Sequence, residues 1–167
     1  SCATYLIVGT LLLSGVVLAQ APAPMSEDPS YKRLLYTAHL RMFDVTIAPG
    51  ASTLDHVRDH DVVAVTLGDA TVRTRVSGGD WTAPKSLMSG STDIAQYTGM
   101  PSTYRMDNTG KMPYRGFAIE NLRDRGWSTP QLITAPGTKL LDQSRSFAVY
   151  EVRLNASASR TSHVHQM

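Results

Sequence analysis

Three residues at alternate positions, His56, Arg58 and His60, are the first in this sequence that could carry chemistry. In an extended chain, side chains two residues apart point to the same side, so these three could project together. An arginine offers a planar fork of N–H donors that matches a carboxylate or a phosphate. An anion site is therefore at least as well supported as a metal site built from His56 and His60 with Asp55 or Asp61. The segment could also be only a solvated loop.

His163 and His165, near the end of the chain, form a second candidate. A His-x-His pair on a strand directs both imidazoles to the same side, which suits a divalent metal. No further ligand follows them before Met167. We therefore expect an incomplete metal site, and we expect this pair to be disordered and inert in the chain as it stands.

Composition excludes several other kinds of function. The net charge is only +2, with no Lys/Arg-rich block, so nucleic-acid binding is not expected. The sequence has no Gly-x-Ser-x-Gly elbow, no Gly-rich phosphate loop and no Cys/His zinc pattern. Cys2 is the only cysteine, so no disulfide can form within the chain. Whether the protein is an enzyme stays open.

The elements that must position these residues are short strands. Apolar or alternating segments end at Gly, Pro or Asn turns, as all-β sandwiches and barrels require. The pattern predicts that segments 62–67 and 70–76 form a hairpin across Gly68-Asp69 and that residues 81–89 are irregular. For residues 30–40 it does not distinguish a helix from a strand. The predicted strands are 41–47, 62–67, 70–76, 91–97, 103–106 and 114–120.

The N-terminal region reads as an export signal. Residues 5–18 are apolar and almost uncharged, and Ala19 and Ala21 provide a signal-peptidase site. We expect residues 1–21 to be a cleaved signal peptide and the protein to be secreted or periplasmic, with no membrane contact after cleavage. An uncleaved membrane anchor is the alternative. Residues 22–38 are predicted to be a linker, and residues 22–30, which are rich in Pro, Ser and acidic side chains, are expected to be disordered.

A weak internal repeat suggests how the rest is organised. Residues 43–59 align with residues 150–166 without a gap, and the strand, the turn and the histidine occur in the same order in both segments. His56-Val57 meets His163-Val164 in this comparison. The repeat predicts one domain followed by the first strands of a second, similar domain.

Two motifs resemble those of the cupin superfamily. Gly50, five residues, His56 and a segment leading to Gly68 are similar to its first motif, and the stretch from Gly99 to Asn108 is similar to its second. The resemblance implies the N-terminal half of a two-cupin protein with an all-β, cupin-like jelly-roll barrel, and it implies a possible homodimer. The barrel would span residues 39–124, with an interdomain connection at 125–146 and a truncated second cupin at 147–167.

Metal-bearing cupins use two or three histidines and one carboxylate, and few of these positions match here. His56 matches the first ligand, whereas Arg58 stands at the second, Val62 or Val63 at the carboxylate, and Tyr104 at the last histidine. A permanently cationic arginine would repel a metal. The resemblance therefore implies a metal-free barrel with a structural or small-molecule (anion) binding role. The predicted ligand-binding residues are His56, Arg58, His60 and Tyr104.

The alternative is a metal-dependent cupin enzyme, an oxygenase, isomerase or lyase. Its iron, manganese or zinc would lie in the second barrel, which begins at His163 and His165. A non-enzymatic small-molecule sensor is a third possibility, against which the predicted signal peptide argues.

Overall fold

The computed structural model describes residues 22–123 and 132–156, and its regular structure there is almost entirely β-strand. The only helical element described is a single 3-10 turn, Met25–Glu27. No helix in the described ranges is long and apolar enough to cross a membrane. The strands are β1 Ala23–Pro24, β2 Tyr31–Tyr36, β3 Leu40–Ile47, β4 His56–Arg58, β5 Val62–Thr66, β6 Ala70–Val76, β7 Lys85–Leu87, β8 Thr92–Ala95, β9 Ser102–Asn108, β10 Tyr114–Asn121, β11 Thr138–Gln143 and β12 Ala148–Val152.

Strands β3 to β10 form a jelly roll. The chain folds back on itself so that β6 pairs with β7, β5 with β8, β4 with β9, and β3 with β10, all antiparallel. These nested pairs are divided between two sheets, ordered β1-β4-β9-β6-β7 and β2-β3-β10-β5-β8. Such nesting across two facing sheets defines the jelly roll. The predicted all-β, cupin-like jelly-roll fold is confirmed; the predicted signal peptide lies outside the described residues.

The core lies between the two sheets. Along β3, Phe43, Val45 and Ile47 are buried at alternate positions, as expected for a strand with one face inward. Gly116 on β10 is required by close packing: a Cβ there would lie 2.6 Å from the Tyr114 hydroxyl and 2.8 Å from the Val65 carbonyl oxygen.

The two cupin-like motifs meet at the end of β9. Gly50 has φ +73°, which few other residues adopt, and its N–H donates to the Asn108 carbonyl oxygen at 2.9 Å. The buried Asn108 amide donates to the carbonyl oxygens of Ile47 and Met112 at 2.9 and 2.8 Å. Asn108 therefore holds the turn after β3 to the turn before β10.

The structure corrects several strand assignments. Strands occur in all six predicted segments, but β5 and β6 do not form a hairpin across Gly68-Asp69, because they belong to opposite sheets. The segment 81–89 contains β7, and the undecided segment 30–40 contains β2.

The prediction that residues 22–30 are disordered is wrong, and the predicted linker 22–38 contains one strand of each barrel sheet. β1 pairs parallel with β4, and β2 extends the opposite sheet beside β3. Met25 and Asp28 are only 1% and 2% exposed. The segment is part of the barrel because its strands join both sheets and Met25 belongs to the hydrophobic core.

The predicted connection at 125–146 also contains regular structure. β11 pairs antiparallel with β12, and the two form a separate two-stranded sheet. β12 falls within the strand predicted at the start of a second cupin, but its partner is β11. Most of the second repeat copy, including His163 and His165, lies outside the described residues. Whether a second barrel begins here stays a prediction.

Candidate functional site

Strand β4 directs two of the predicted site residues into the barrel. His56 is fully buried and Arg58 is 9% exposed, whereas Val57 between them is only half-buried. In the register of β4 with β9, His56 lies directly opposite Tyr104. The structure thus brings together His56, Arg58 and Tyr104, three of the four predicted ligand-binding residues.

His60, the fourth, is not part of this group. β4 ends at Arg58, so the alternation that would have carried His60 inward stops before it is reached. Its Nδ1 lies 2.6 Å from the Asp59 carboxylate, on a side chain that is 21% exposed. The alternative of a metal pair formed by His56 and His60 is therefore not supported.

His56 lies between a carboxylate and a guanidinium. Its Nε2 is 3.4 Å from Nε of Arg58, and its Nδ1 is 3.3 Å from Oδ2 of Asp28, although not in hydrogen-bond geometry. A guanidinium can only donate, so Nε2 must accept. The proton of the neutral imidazole is then on Nδ1, facing Asp28.

Asp28 supplies the negative end of this network. Its carboxylate accepts the backbone N–H of Ser30 at 2.8 Å and of Leu54 at 2.7 Å. Burial alone would raise the pKa of Asp28, but the neighbouring His56 ring and the hydrogen bonds from the Ser30 and Leu54 N–H groups hold that pKa below its usual range. Asp28 is therefore ionised inside the barrel.

Arg58 is surrounded by phenol rings. Its Nη2 donates to the Tyr31 hydroxyl at 3.2 Å, and its guanidinium carbon lies 3.8 Å from the centre of the Tyr104 ring and 5.8 Å from that of Tyr97. Burial opposes the charged form, but Tyr31, Tyr104 and Tyr97 more than offset it and hold the pKa of Arg58 above its ordinary value. The side chain is cationic, stacked and partly desolvated.

No direct carboxylate partner neutralises this cation within the described part of the chain. None of the ion pairs found there includes Arg58. The nearest acidic group in its network, Asp28, is reached only through the His56 ring. One edge of the guanidinium, at Nη1, has no hydrogen-bond partner among the described residues.

The phenols themselves are unsuited to act as bases. Burial raises the pKa of Tyr31 and of Tyr104, and it raises the pKa of Tyr114 to about 12. All three stay neutral at physiological pH. They can accept or donate hydrogen bonds and stack on a ligand, but proton abstraction near neutral pH would need a lower pKa.

The described residues do not fit a cupin-type metal. No group of three His, Cys, Asp or Glu side chains within 22–123 and 132–156 could hold an ion. Val62 at the carboxylate position is buried and apolar, and its register partner Glu120 is ion-paired with Arg41. The Nε2 lone pair of His56 faces a permanent cation. His163 and His165, the other predicted metal ligands, lie outside the described residues.

Sequence reasoning missed Asp28, Tyr31 and Glu120. Asp28 was assigned to a linker, and its contact with His56 joins positions far apart in the chain, so no local spacing reveals it. The one local signal is Asp28-Pro29-Ser30, an Asx-turn sequence in which the Asp28 side chain accepts the Ser30 N–H. Alternation along β10 would have indicated that Glu120 points inward with Ala118.

No protein-family model and no curated protein sequence matches the chain. Solved structures do resemble it. A cupin domain from Bordetella pertussis Tohama I aligns over 62% of this chain and 97% of its own, with 13% identity and a TM-score of 0.47. A double-stranded β-helix domain protein from Klebsiella pneumoniae aligns over 63% of this chain and 86% of its own, with 18% identity and a TM-score of 0.47.

An RmlC-like cupin family protein from Methanocaldococcus jannaschii aligns over 62% of this chain and 92% of its own, with 10% identity and a TM-score of 0.45. Two of these three neighbours are described as cupins, and two as having a double-stranded β-helix.

Proposed function

We propose that this cupin-like barrel is a metal-free binding module in which Arg58 takes the place that a metal ion would occupy. The observation that supports this most directly is the 3.4 Å approach of Arg58 Nε to His56 Nε2. That nitrogen would be the metal-binding atom, and here it accepts from a guanidinium. A metal ion added at this point would meet a fixed positive charge in a site of low dielectric, which is strongly unfavourable.

The ligand class we propose is a small organic carboxylate. Arg58 is a desolvated cation with an unpartnered edge, and a carboxylate is the anion that matches the spacing of its two terminal nitrogens. The rings of Tyr97 and Tyr104 border the guanidinium and would contact the apolar part of such a ligand. Binding would provide the direct counter-charge that the described residues do not offer.

Two measurements on the purified full chain test this proposal. Elemental analysis is expected to find no stoichiometric iron, manganese or zinc. Calorimetric titration with a panel of aliphatic and aromatic carboxylates is expected to find saturable binding that Arg58→Gln weakens about tenfold or more, since hydrogen bonds to a charged group contribute about 1.5–3 kcal/mol. Arg58→Lys should lose much of the affinity as well, because it keeps the charge but not the fork.

Arg115→Gln is the matched control. Arg115 also lies on a barrel strand, but its side chain is 59% exposed and is 3.9 Å from Asp44. Its substitution removes the same charge without touching the interior and should leave carboxylate affinity unchanged. Stoichiometric metal that is lost on His56→Ala would contradict the proposal, as would carboxylate binding that is indifferent to Arg58.

The same metal measurement separates this proposal from the enzymatic alternative. We propose further that the barrel is the first domain of an exported two-cupin protein whose leader is residues 1–21. If a metal enzyme function resides in a second barrel, metal should be present in the protein that contains that barrel. It should then be lost on substitution of His163 or His165 and retained on substitution of His56.

A further inference from the structure

The outer face of one sheet carries a pair of arginines with too few counter-charges. In the register of β6 with β9, Arg75 lies directly opposite Arg105. Like charges at directly opposite positions destabilise a sheet unless something neutralises them. The only carboxylate that contacts either within the described residues is Asp55, at 3.5 Å from Arg75 and 3.6 Å from Arg105.

The neighbouring charges do not relieve this excess. Arg73, two residues before Arg75, is already paired with Asp107 at 2.9 Å, and Asp107 also accepts from the Ser52 hydroxyl. Arg75 and Arg105 thus share one negative charge between them. The Nε atoms of both are shielded from solvent and lack a hydrogen-bond partner in the described structure.

Trp81 restricts the guanidinium of Arg75, one of the two arginines. The guanidinium carbons of Arg73 and Arg75 lie 4.6 and 5.0 Å from the centre of its ring. A cation stacked on an indole loses mobility before any ligand arrives, which reduces the entropic cost of binding. The arrangement is therefore organised in advance, whereas an isolated surface arginine is not.

We propose that Arg75 and Arg105 form a binding site for a doubly charged tetrahedral oxyanion, the phosphate or sulfate group. Two guanidiniums that face each other across a strand pair can each direct N–H donors to different oxygens of one such group. A dianion would neutralise both arginines, which Asp55 alone does not. The site is on the outside of the sheet, separate from the interior Arg58 network, and does not depend on the function proposed for it.

The test is calorimetric titration of the full chain with inorganic phosphate and with sulfate, at ionic strength held constant with sodium chloride. Saturable binding is expected, and Arg75→Gln or Arg105→Gln should each weaken it about tenfold or more. Arg115→Gln, which removes the same charge from the opposite sheet, should have no effect. The Lys variants of Arg75 and Arg105 preserve charge and provide a second test should either Gln variant fail to fold.

The variant Asp55→Asn distinguishes an anion-binding site from an arginine cluster that only stabilises the fold. Asp55 competes with the ligand for both guanidiniums, so its neutralisation should raise phosphate affinity several-fold. Absence of saturable binding to the wild-type chain would overturn the proposal, as would an equal loss in Arg115→Gln or weaker binding in Asp55→Asn. Titration with glycerol phosphate identifies the source: tighter binding than phosphate indicates an ester group on a larger ligand, and weaker binding indicates the free ion.

Discussion

At the scale of single residues, the interior depends on one buried carboxylate. Asp28 receives two backbone N–H groups and faces the protonated nitrogen of His56. If its charge were lost, the Ser30 and Leu54 N–H groups would lose a strong acceptor, and the negative charge facing His56 would disappear. Asp28 thus places a negative charge on the Nδ1 side of the His56 ring, opposite the side that accepts from Arg58.

The lowered pKa of Asp28 predicts a specific dependence of stability on pH. Because the folded pKa lies below the ordinary value of 3.8, the ionised group stabilises the fold above that value, and the stabilisation is lost as pH falls through the folded pKa. We expect Asp28→Asn to cost about 1–3 kcal/mol at neutral pH and less as pH falls below about 4. Urea unfolding of the wild type and of Asp28→Asn between about pH 2.5 and pH 7, a range that includes the titration of carboxyl groups, measures this difference. Parallel curves of unfolding free energy against pH for the two proteins would refute the prediction.

Residue spacing predicted part of the interior. The alternation of side chains along an extended strand predicted that His56 and Arg58 lie on the same side. The second motif assigned Tyr104 to the same site, and Tyr104 lies opposite His56 in the register of β4 with β9. His60 was misplaced because the strand ends before it. Asp28 could not be paired with His56 from the sequence, since their contact depends on how β1 and the 3-10 turn lie against β4.

At the scale of elements, the C-terminal hairpin is held to the barrel by Asp61. One carboxylate oxygen of Asp61 accepts the N–H groups of Tyr97 and Thr98, at 2.8 and 2.9 Å. The other accepts from the Ser146 hydroxyl and from Arg145, both in the turn between β11 and β12. Asp61 therefore joins the hairpin to the loop between β8 and β9. Arg145 Nη2 also donates to the Thr98 carbonyl oxygen, and Asn121 Nδ2 to that of Ser146.

Asp61→Asn should release this hairpin without unfolding the barrel. An amide cannot accept from all four donors, so the Ser146 and Arg145 contacts are expected to weaken by about 1–3 kcal/mol. Hydrogen exchange of the β11 and β12 amides should become about tenfold faster or more, while exchange in β3 and β10 changes little. Asp59→Asn, at a neighbouring side chain that is 52% exposed, is the control. Unchanged hairpin exchange would contradict the proposed role.

Element existence was more predictable than element pairing. Gly and Pro turns delimited the segments that became β3, β5, β6, β9 and β10, because they interrupt alternating apolar runs. The β5–β6 hairpin was wrong for a physical reason: Gly68-Asp69 permits a tight reversal within one sheet and an equally tight passage between two sheets. The choice is made by β8 and β9, which pair with β5 and β6 from elsewhere in the chain.

At the scale of the whole molecule, the barrel begins earlier than its motifs indicate. A chain that starts at residue 31 would lack Met25, which is 1% exposed, together with Asp28. Loss of a buried methionine side chain alone costs about 2–5 kcal/mol. We expect such a chain to have a clearly lower melting temperature than one that starts at residue 22. Equal melting temperatures would show that the N-terminal segment does not contribute to the core.

The cupin-like fold was predictable because two motifs and a run of short strands agreed on one architecture. The N-terminal extension and the β11–β12 hairpin were not, because both are additions to that architecture. Their polar, Pro-rich or charged sequences resemble linkers. What makes them part of the structure is tertiary: Met25 fills the core, and Ser146 reaches a carboxylate far from it in sequence.

The nested strand pairs also have a consequence for how the chain reaches this structure. Ala70 and Leu87 pair across a short loop, whereas Leu40 and Asn121 come from opposite ends of the barrel sequence. Loop-closure entropy is smallest for the inner pair and grows outward, and chains dominated by such distant contacts fold slowly. We therefore expect assembly to start at β6–β7 and finish at β3–β10. Until β10 is in place, one edge of β3 is open to pairing with other chains. A chain that is still being synthesised is therefore expected to be most prone to aggregation just before residue 121 becomes available.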